Sequence, residues 1–346
     1  TVSERDRYDV IIVGAGIAGA SFAYFLSRRG IGDVLLVERE WTAGYHATGR
    51  SAAVAYPLDP HPIIQQLKAP GICFLQDPPE GFSQHPLLTP CGAMLVLKDP
   101  LWSSVQKAVA VGASAGEGAI ELLPRAEAQR RVPVLNPREF DGALFFPDAA
   151  RIDVHELLGS YLRGAKQRGV EVRYDLEITG LRVDGGICTG VVTPRGEIRA
   201  SRIVNAAGAW AGELGRVAGA APIELTPLRR CAIVYQAPEK LDKRGWPHIG
   251  SAHHGVYFEP ESGGILMSPM DEEPTPACDA QPDELAIAAG LERLRALAPD
   301  LVPRSVRRSW AGLRTFCPDR APVVGEDPIL RGFFWLAGQG GNGIAT

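Results

Sequence analysis

The sequence predicts an α/β protein: a parallel sheet flanked by helices, interrupted by a second part rich in antiparallel strands. Three observations carry this. An apolar run, Tyr8–Val13, enters the glycine turn Gly14-Ala15-Gly16-Ile17-Ala18-Gly19 and then a stretch of helical period. A second apolar run, Val34–Val37, ends on Glu38, about twenty residues further on, the spacing of a dinucleotide-binding βαβ unit. Far along the chain, the Arg202–Asn205 run returns to another glycine turn, whereas the segments between and after it alternate with period two.

Taken in order, the first unit is a Rossmann fingerprint. Gly14 permits the tight turn, Gly16 lets backbone approach a pyrophosphate, and Gly19 lets helix pack on strand. Ile17 and Ala18 open the helix, whose free amides and positive dipole end face the phosphates. Glu38 accepts hydrogen bonds from a ribose. Residues 41–53 are polar and glycine-punctuated, an ordered loop leading into a short helix. From Tyr56 to Asp148 the pattern is mixed and proline-rich, with a strand at Ala93–Leu97 and a helix near Arg125–Arg131. Asp153 caps a helix that Gly169 ends, and Val170–Tyr174 reads as a third parallel strand. Ile178–Val183 and Ile187–Thr193 form an antiparallel pair about Asp184-Gly185-Gly186. Strands follow at Cys231–Tyr235, Val256–Glu259 and Ile265–Ser268, then a helix at Asp283–Ala298. Strand signal resumes over Val306–Phe316 and Phe333–Leu336, which leads into Gly338-Gln339-Gly340-Gly341-Asn342-Gly343.

Composition narrows the function classes. The chain has 346 residues, ample for a large core, and a formal net charge of −4 with no basic run of the nucleic-acid-binding kind. No stretch approaches a transmembrane helix or a signal peptide, so a cytoplasmic site, or one peripheral to a membrane, is expected. The six cysteines are scattered without CxxC or zinc-like spacing, and His253-His254 has no ligand partner at metal spacing. No metal is expected.

The fingerprint's early position and the lack of a second GxGxxG favour FAD over NAD. Four further motifs occur in order: His46-Ala47-Thr48-Gly49-Arg50-Ser51, Val204–Trp210, Trp310-Ala311-Gly312-Leu313-Arg314, and Gly338–Gly343. With Asp77–Phe82 and His85–Leu88, this set resembles the D-amino-acid oxidase/dehydrogenase (DAO) superfamily of FAD-dependent enzymes, most of all its bacterial D-arginine dehydrogenase branch. The resemblance covers nearly the whole chain. It implies a glutathione-reductase-like FAD-binding domain (residues 1–56, 149–222 and 305–346) with an inserted α+β substrate domain (57–148 and 223–304) containing a large antiparallel sheet. The family pattern continues past the last glycine turn with a helix, so the stop at Ile344-Ala345-Thr346 reads as a fragment. The stretch at Ala53-Val54 is also shorter than in those relatives, which bears on catalysis beside the flavin.

Such enzymes leave hydride removal to the flavin, and the protein orients the substrate. Arg314 is the expected carboxylate clamp, since a guanidinium offers two parallel donors and keeps its charge. The resemblance places Tyr56 and Tyr257 on the carboxylate or over the substrate, and Arg230 near its entrance. A core tyrosine and a solvated arginine are the competing readings of Tyr257 and Arg230. It assigns noncovalent FAD to Gly14, Gly16, Ile17, Ala18, Gly19, Glu38 and Arg39. The loop residues Thr48, Gly49, Arg50 and Ser51 join them, as do Ala207, Gly208 and Trp210. The last turn, Gly340, Gly341, Asn342 and Gly343, aims amides at the flavin edge that gains negative charge. Ala93 stands where the D-arginine enzymes carry an acid, so neutral or apolar D-amino acids are expected substrates, oxidised to imino acids that hydrolyse to 2-oxo acids and ammonia. The electron acceptor is open between a quinone, another acceptor and oxygen. The alternatives are an oxidase of sarcosine- or glycine-type amines and a non-catalytic flavoprotein subunit or inactive fragment.

Overall fold

A computed structural model describes residues 5–56, 58–110, 120–238, 240–261 and 263–346. Its first sheet has eight strands and centres on β1 (Arg7–Val13). β2 (Val34–Val37) lies parallel on one side of it, with Glu171–Arg173 beyond. Gly196–Asn205 lies parallel on the other side. That strand is long enough to serve two neighbours along one edge. Its first half pairs antiparallel with Ile187–Thr193, and Ile203–Asn205 pairs parallel with Phe333–Trp335.

Alternation explains the layers. Val10 and Ile12 face helix α1 (Ile17–Arg28) and the helix Val154–Gln167, in one cluster with Ala20, Ala23 and Leu157. Ile11 and Val13 point the other way, onto Val191, Leu214 and Trp335. A strand buried on both faces must be apolar throughout, as the last four residues of β1 are. Asp153 caps its helix as expected, accepting the Glu156 amide at 2.8 Å.

The second sheet has nine strands. Thr226–Tyr235 pairs antiparallel with Arg308–Phe316 on one side and Gly264–Ser268 on the other. Val256–Glu261, His248–Ser251, Ala93–Leu97, Gly142–Phe146 and Glu121–Pro124 follow in space. One joint, His248–Ser251 with Ala93–Leu97, is parallel, so the sheet expected to be antiparallel is mixed. On one face Cys231, Ile233, Phe258, Met267, Ala311 and Leu313 pack under the helix Glu284–Leu297. The alternate residues, Arg230, Ala232, Val234, Tyr257, Arg314, Gly312, Trp310 and Arg308, therefore share the opposite face. A three-stranded sheet joins Val54–Ala55, Ala150–Ile152 and Leu88–Pro90.

Four expectations change. Residues 41–53 form successive turns and no helix; the Gly49 amide bonds Gly44 O and the Ser51 amide bonds Thr48 O. Two helices, Pro62–Gln76 and Leu101–Ala110, lie in the stretch that showed no clear pattern. Arg308–Phe316, expected with the FAD-binding part, belongs to the nine-stranded sheet, so the chain returns to the first sheet after Phe316 rather than at 305. Ala150–Ile152, likewise assigned there, belongs to the three-stranded sheet. Among the described residues all six cysteines are free thiols.

Candidate cofactor and substrate site

Three turns meet at the carboxyl ends of adjacent parallel strands, where Val13 stands in register with both Val37 and Asn205. Such a crevice is where open α/β sheets bind ligands. Gly14 has φ +105°, and a Cβ there would collide with Ala206 O; a Cβ on Gly19 would collide with Gly14 O. Glu38 accepts the amides of Ala15 at 2.9 Å and Glu40 at 3.0 Å, which fixes its carboxylate beside the turn. Asn205, fully buried, ties its own turn by donating to Ala211 O at 2.8 Å and accepting from the Ala207 amide at 3.3 Å.

The nest opens into a cavity of about 570 Å³ walled by Gly14, Gly16, Glu38, Arg39, His46 and Trp210, among others. Arg39 lies 4.1 Å over the Trp210 ring and His46 packs against it at 4.6 Å. Glu40 holds both, at 3.0 Å from Arg39 and 2.8 Å from His46. A second cavity, of about 140 Å³, shares the wall residues Gly16, Thr48, Arg50, Ala206, Gly208 and Gly312 with the first. The two form one elongated site that runs from Glu38 to the last glycine turn.

That inner cavity is lined by Arg230, Tyr257 and Arg314, with Ser51, Gly340, Gly341 and Gly343 around them. Register makes the two arginines diagonal neighbours: Leu228 faces Arg314 and Arg230 faces Gly312. Arg230 is 8% exposed and donates to Asp271 O and to Glu272, both at 2.9 Å. Burial, and then the charge of Arg314, push its pKa down to about 10. Burial opposes ionisation of Glu272 as well, yet Arg320 and Arg230 hold it below the ordinary carboxylate range. Arg314 makes no hydrogen bond or ion pair among the described residues. The last turn packs on it, since a Cβ on Gly341 would stand 3.0 Å from its Nη1. Gly340 has φ +56°, its amide donates to Thr315 O at 2.9 Å, and any side chain there would run into Phe316.

Other expected residues are tied to the protein itself or stand off the cavities, although Thr48 and Arg50 wall both of them. Thr48 Oγ1 accepts the Ile17 amide at 3.0 Å, so that amide is already engaged; Ala18 lines the inner cavity, whereas Gly19 walls neither cavity and serves the helix–strand contact. Arg50 spends its donors on protein acceptors: Tyr45 O at 3.2 Å, Ala280 O and Ala311 O at 3.0 Å, and the Asp279 carboxylate. Gly49 is packed against Gly44 and walls neither cavity of the elongated site. Asn342 is half-buried and off both walls. Tyr56 also stands off both walls, tilted against Phe146 at 5.7 Å and under the Lys68 ammonium at 4.5 Å. Burial raises the Tyr56 pKa, Asp59 adds to this, and Arg314 opposes it.

Sequence reading missed Lys68, 2% exposed and 3.3 Å from both Leu58 O and Asp59, because its helix carries Pro70 and shows no clean period. It also missed Glu139, whose carboxylate joins His253 and His254 with ligand atoms within 4.8 Å of one another. Lys98 sits 3.1 Å from that carboxylate and supplies the positive charge there.

The glycine cradle, the fixed acid after β2 and the open amides of α1 fit a dinucleotide with a bulky ring at its far end. Residues 9–346 match the DAO family, described as FAD dependent oxidoreductase. The chain belongs to this family. FAD is accordingly its cofactor. Among curated relatives, mitochondrial dimethylglycine dehydrogenase of Mus musculus is 25% identical over 98% of this chain. This chain spans only 41% of that relative's length. Hydrogen cyanide synthase subunit HcnC of Pseudomonas aeruginosa is 25% identical, with 98% of this chain and 89% of that one covered. The crystal structure of L-proline dehydrogenase from P. horikoshii shares the fold with a TM-score of 0.84 at 22% identity, covering 99% of this chain and 90% of that one. No helix among the described residues is long and apolar enough to cross a membrane.

Proposed function

We propose that this chain oxidises the Cα–N bond of an α-amino carboxylate, with neutral D-amino acids as the substrate class. Bound FAD supplies the two-electron acceptor. The observation that carries the reading is Arg314, a guanidinium on the inner cavity with no protein acid partner, set against the Gly338–Gly343 turn. A half-buried cation without an ion-pair partner calls for an anion from the ligand, and a carboxylate meets it with two parallel hydrogen bonds. Arg230 is neutralised by Glu272, so one carboxylate suffices. Tyr257 offers a hydroxyl to the same cavity with no hydrogen-bond partner among the described residues. The carboxylate fixed at Arg314 leaves the amine to lose its proton to solvent. The resulting imino acid takes up water and yields a 2-oxo acid and ammonia.

The deciding experiment is anaerobic loss of the flavin absorbance band with a panel of D- and L-amino acids. Neutral D-amino acids are expected to bleach it fastest; equal bleaching by L-isomers removes the stereochemical assignment. A second reading, oxidation of N-methylated glycines, is favoured by the likeness to dimethylglycine dehydrogenase. Faster bleaching by sarcosine or dimethylglycine than by any D-amino acid would establish it instead. Admitting oxygen to the reduced protein then distinguishes an oxidase from a dehydrogenase.

A further inference from the structure

A third cavity, of about 640 Å³, borders the inner one and shares only the segment Arg50, Ser51 and Ala52 with it as a wall. That segment is an arch. Arg50 is tied to Ala311 O and Ala280 O at 3.0 Å, and Trp310 Nε1 donates to Arg50 O at 3.0 Å. Below it, one sheet face floors both chambers. Along Thr226–Tyr235, Ala232 lies in the inner chamber and Val234, the next residue on that face, in the outer. Along Val256–Glu261 the same step runs from Tyr257 to Glu259, and along Arg308–Phe316 from Gly312 to Trp310. Each step is about 7 Å.

We propose that the outer chamber is the substrate's substituent pocket, reached beneath the arch, and that it takes a large neutral group, aliphatic or aromatic. The proposal rests on the α-amino carboxylate reading. With the carboxylate on Arg314 and a flavin ring against Gly340 and Gly341, the 140 Å³ inner chamber has little space left, so bulk must follow the floor outward. The outer walls include Ala53, Ile152, Val234, Leu266 and Trp310. The charges on the same walls are all engaged: Glu259 meets Arg151 at 3.2 Å, Asp279 meets Arg50, Glu261 has a partner of its own and Arg308 lies 5.0 Å over the Trp310 ring, so no unpaired buried charge demands a charged substituent.

The test uses the FAD-loaded protein and two amine-free carboxylates, 3-phenylpropionate and acetate, read by perturbation of the flavin spectrum. The wild type should bind 3-phenylpropionate at least tenfold more tightly than acetate. Ala53→Leu and Val234→Phe, both of which fill the outer chamber from walls that the inner one lacks, should each erase that preference while leaving acetate affinity within about threefold. Equal affinities in the wild type, or a preference that survives both variants, overturns the proposal. Turnover is scored separately with D-phenylalanine and D-alanine. A binding preference that behaves as stated while neither D-amino acid bleaches the flavin upholds the pocket and refutes the proposed reaction.

Discussion

Arg314 is the residue on which the proposed substrate recognition turns. Arg314→Met keeps the side-chain length and removes the charge, so KM should rise by on the order of 100-fold, the size of a lost charge-assisted pair, with kcat falling less. An unchanged KM in steady-state kinetics would take the clamp away from it. Glu156 makes a different prediction. The Gln84 amide, opposed by burial and helped by Arg163 and Ser160, lowers its pKa from 4.5 to about 2. A depressed carboxylate contributes stability above its unfolded pKa and loses it as pH falls toward the folded one. Glu156→Gln should therefore lower the Tm at pH 7 by several degrees, with the gap closing between about pH 4.5 and 2 in calorimetry. The place of Arg314 on the inner cavity was legible because an arginine within an apolar strand is an unusual expense unless it faces something. Arg50 was not, because its acceptors at 279, 280 and 311 come from segments more than two hundred residues away.

Among elements, the strands of period two and the capped helices were readable locally. Asp153 shows why: an acid that accepts a first-turn amide is written in adjacent residues. Asp153→Ala should destabilise the protein by about 1 kcal/mol in denaturant melts. The Pro62–Gln76 helix escaped because Pro70 interrupts its pattern, and the loop at 41–53 was misread because glycine-spaced turns and a short helix share local signals. Arg308–Phe316 was recognised as a strand but given the wrong sheet. Alternation says which residues share a face; only register with Thr226–Tyr235 says which sheet they join. Gly19→Ala tests the α1–β1 contact: its Cβ would strike Gly14 O, so the purified variant should carry far less FAD than the wild type, measured by the flavin-to-protein absorbance ratio.

At the scale of the whole molecule, the cofactor site lies where the two large sheets meet, so its filling should be felt as global stability. Removing FAD should lower the Tm, and returning it at about 100 times its Kd should restore on the order of 2.7 kcal/mol. An apoprotein melting with the holoprotein would show that the elongated site is not the resident one. The same layout has a temporal consequence. β1 finds its partner at Gly196–Asn205, that strand finds Phe333–Trp335, and Gly343 settles beside Ile17, where a Cβ on it would stand 3.9 Å from that side chain. During translation the apolar faces of β1 and β2 can be covered by α1, Val154–Gln167 and Ala211–Ala218, but the sheet is completed only once Phe333–Trp335 has emerged. Flavin loading therefore follows synthesis of the Gly338–Gly343 turn, and chaperone demand is concentrated in the interval before it.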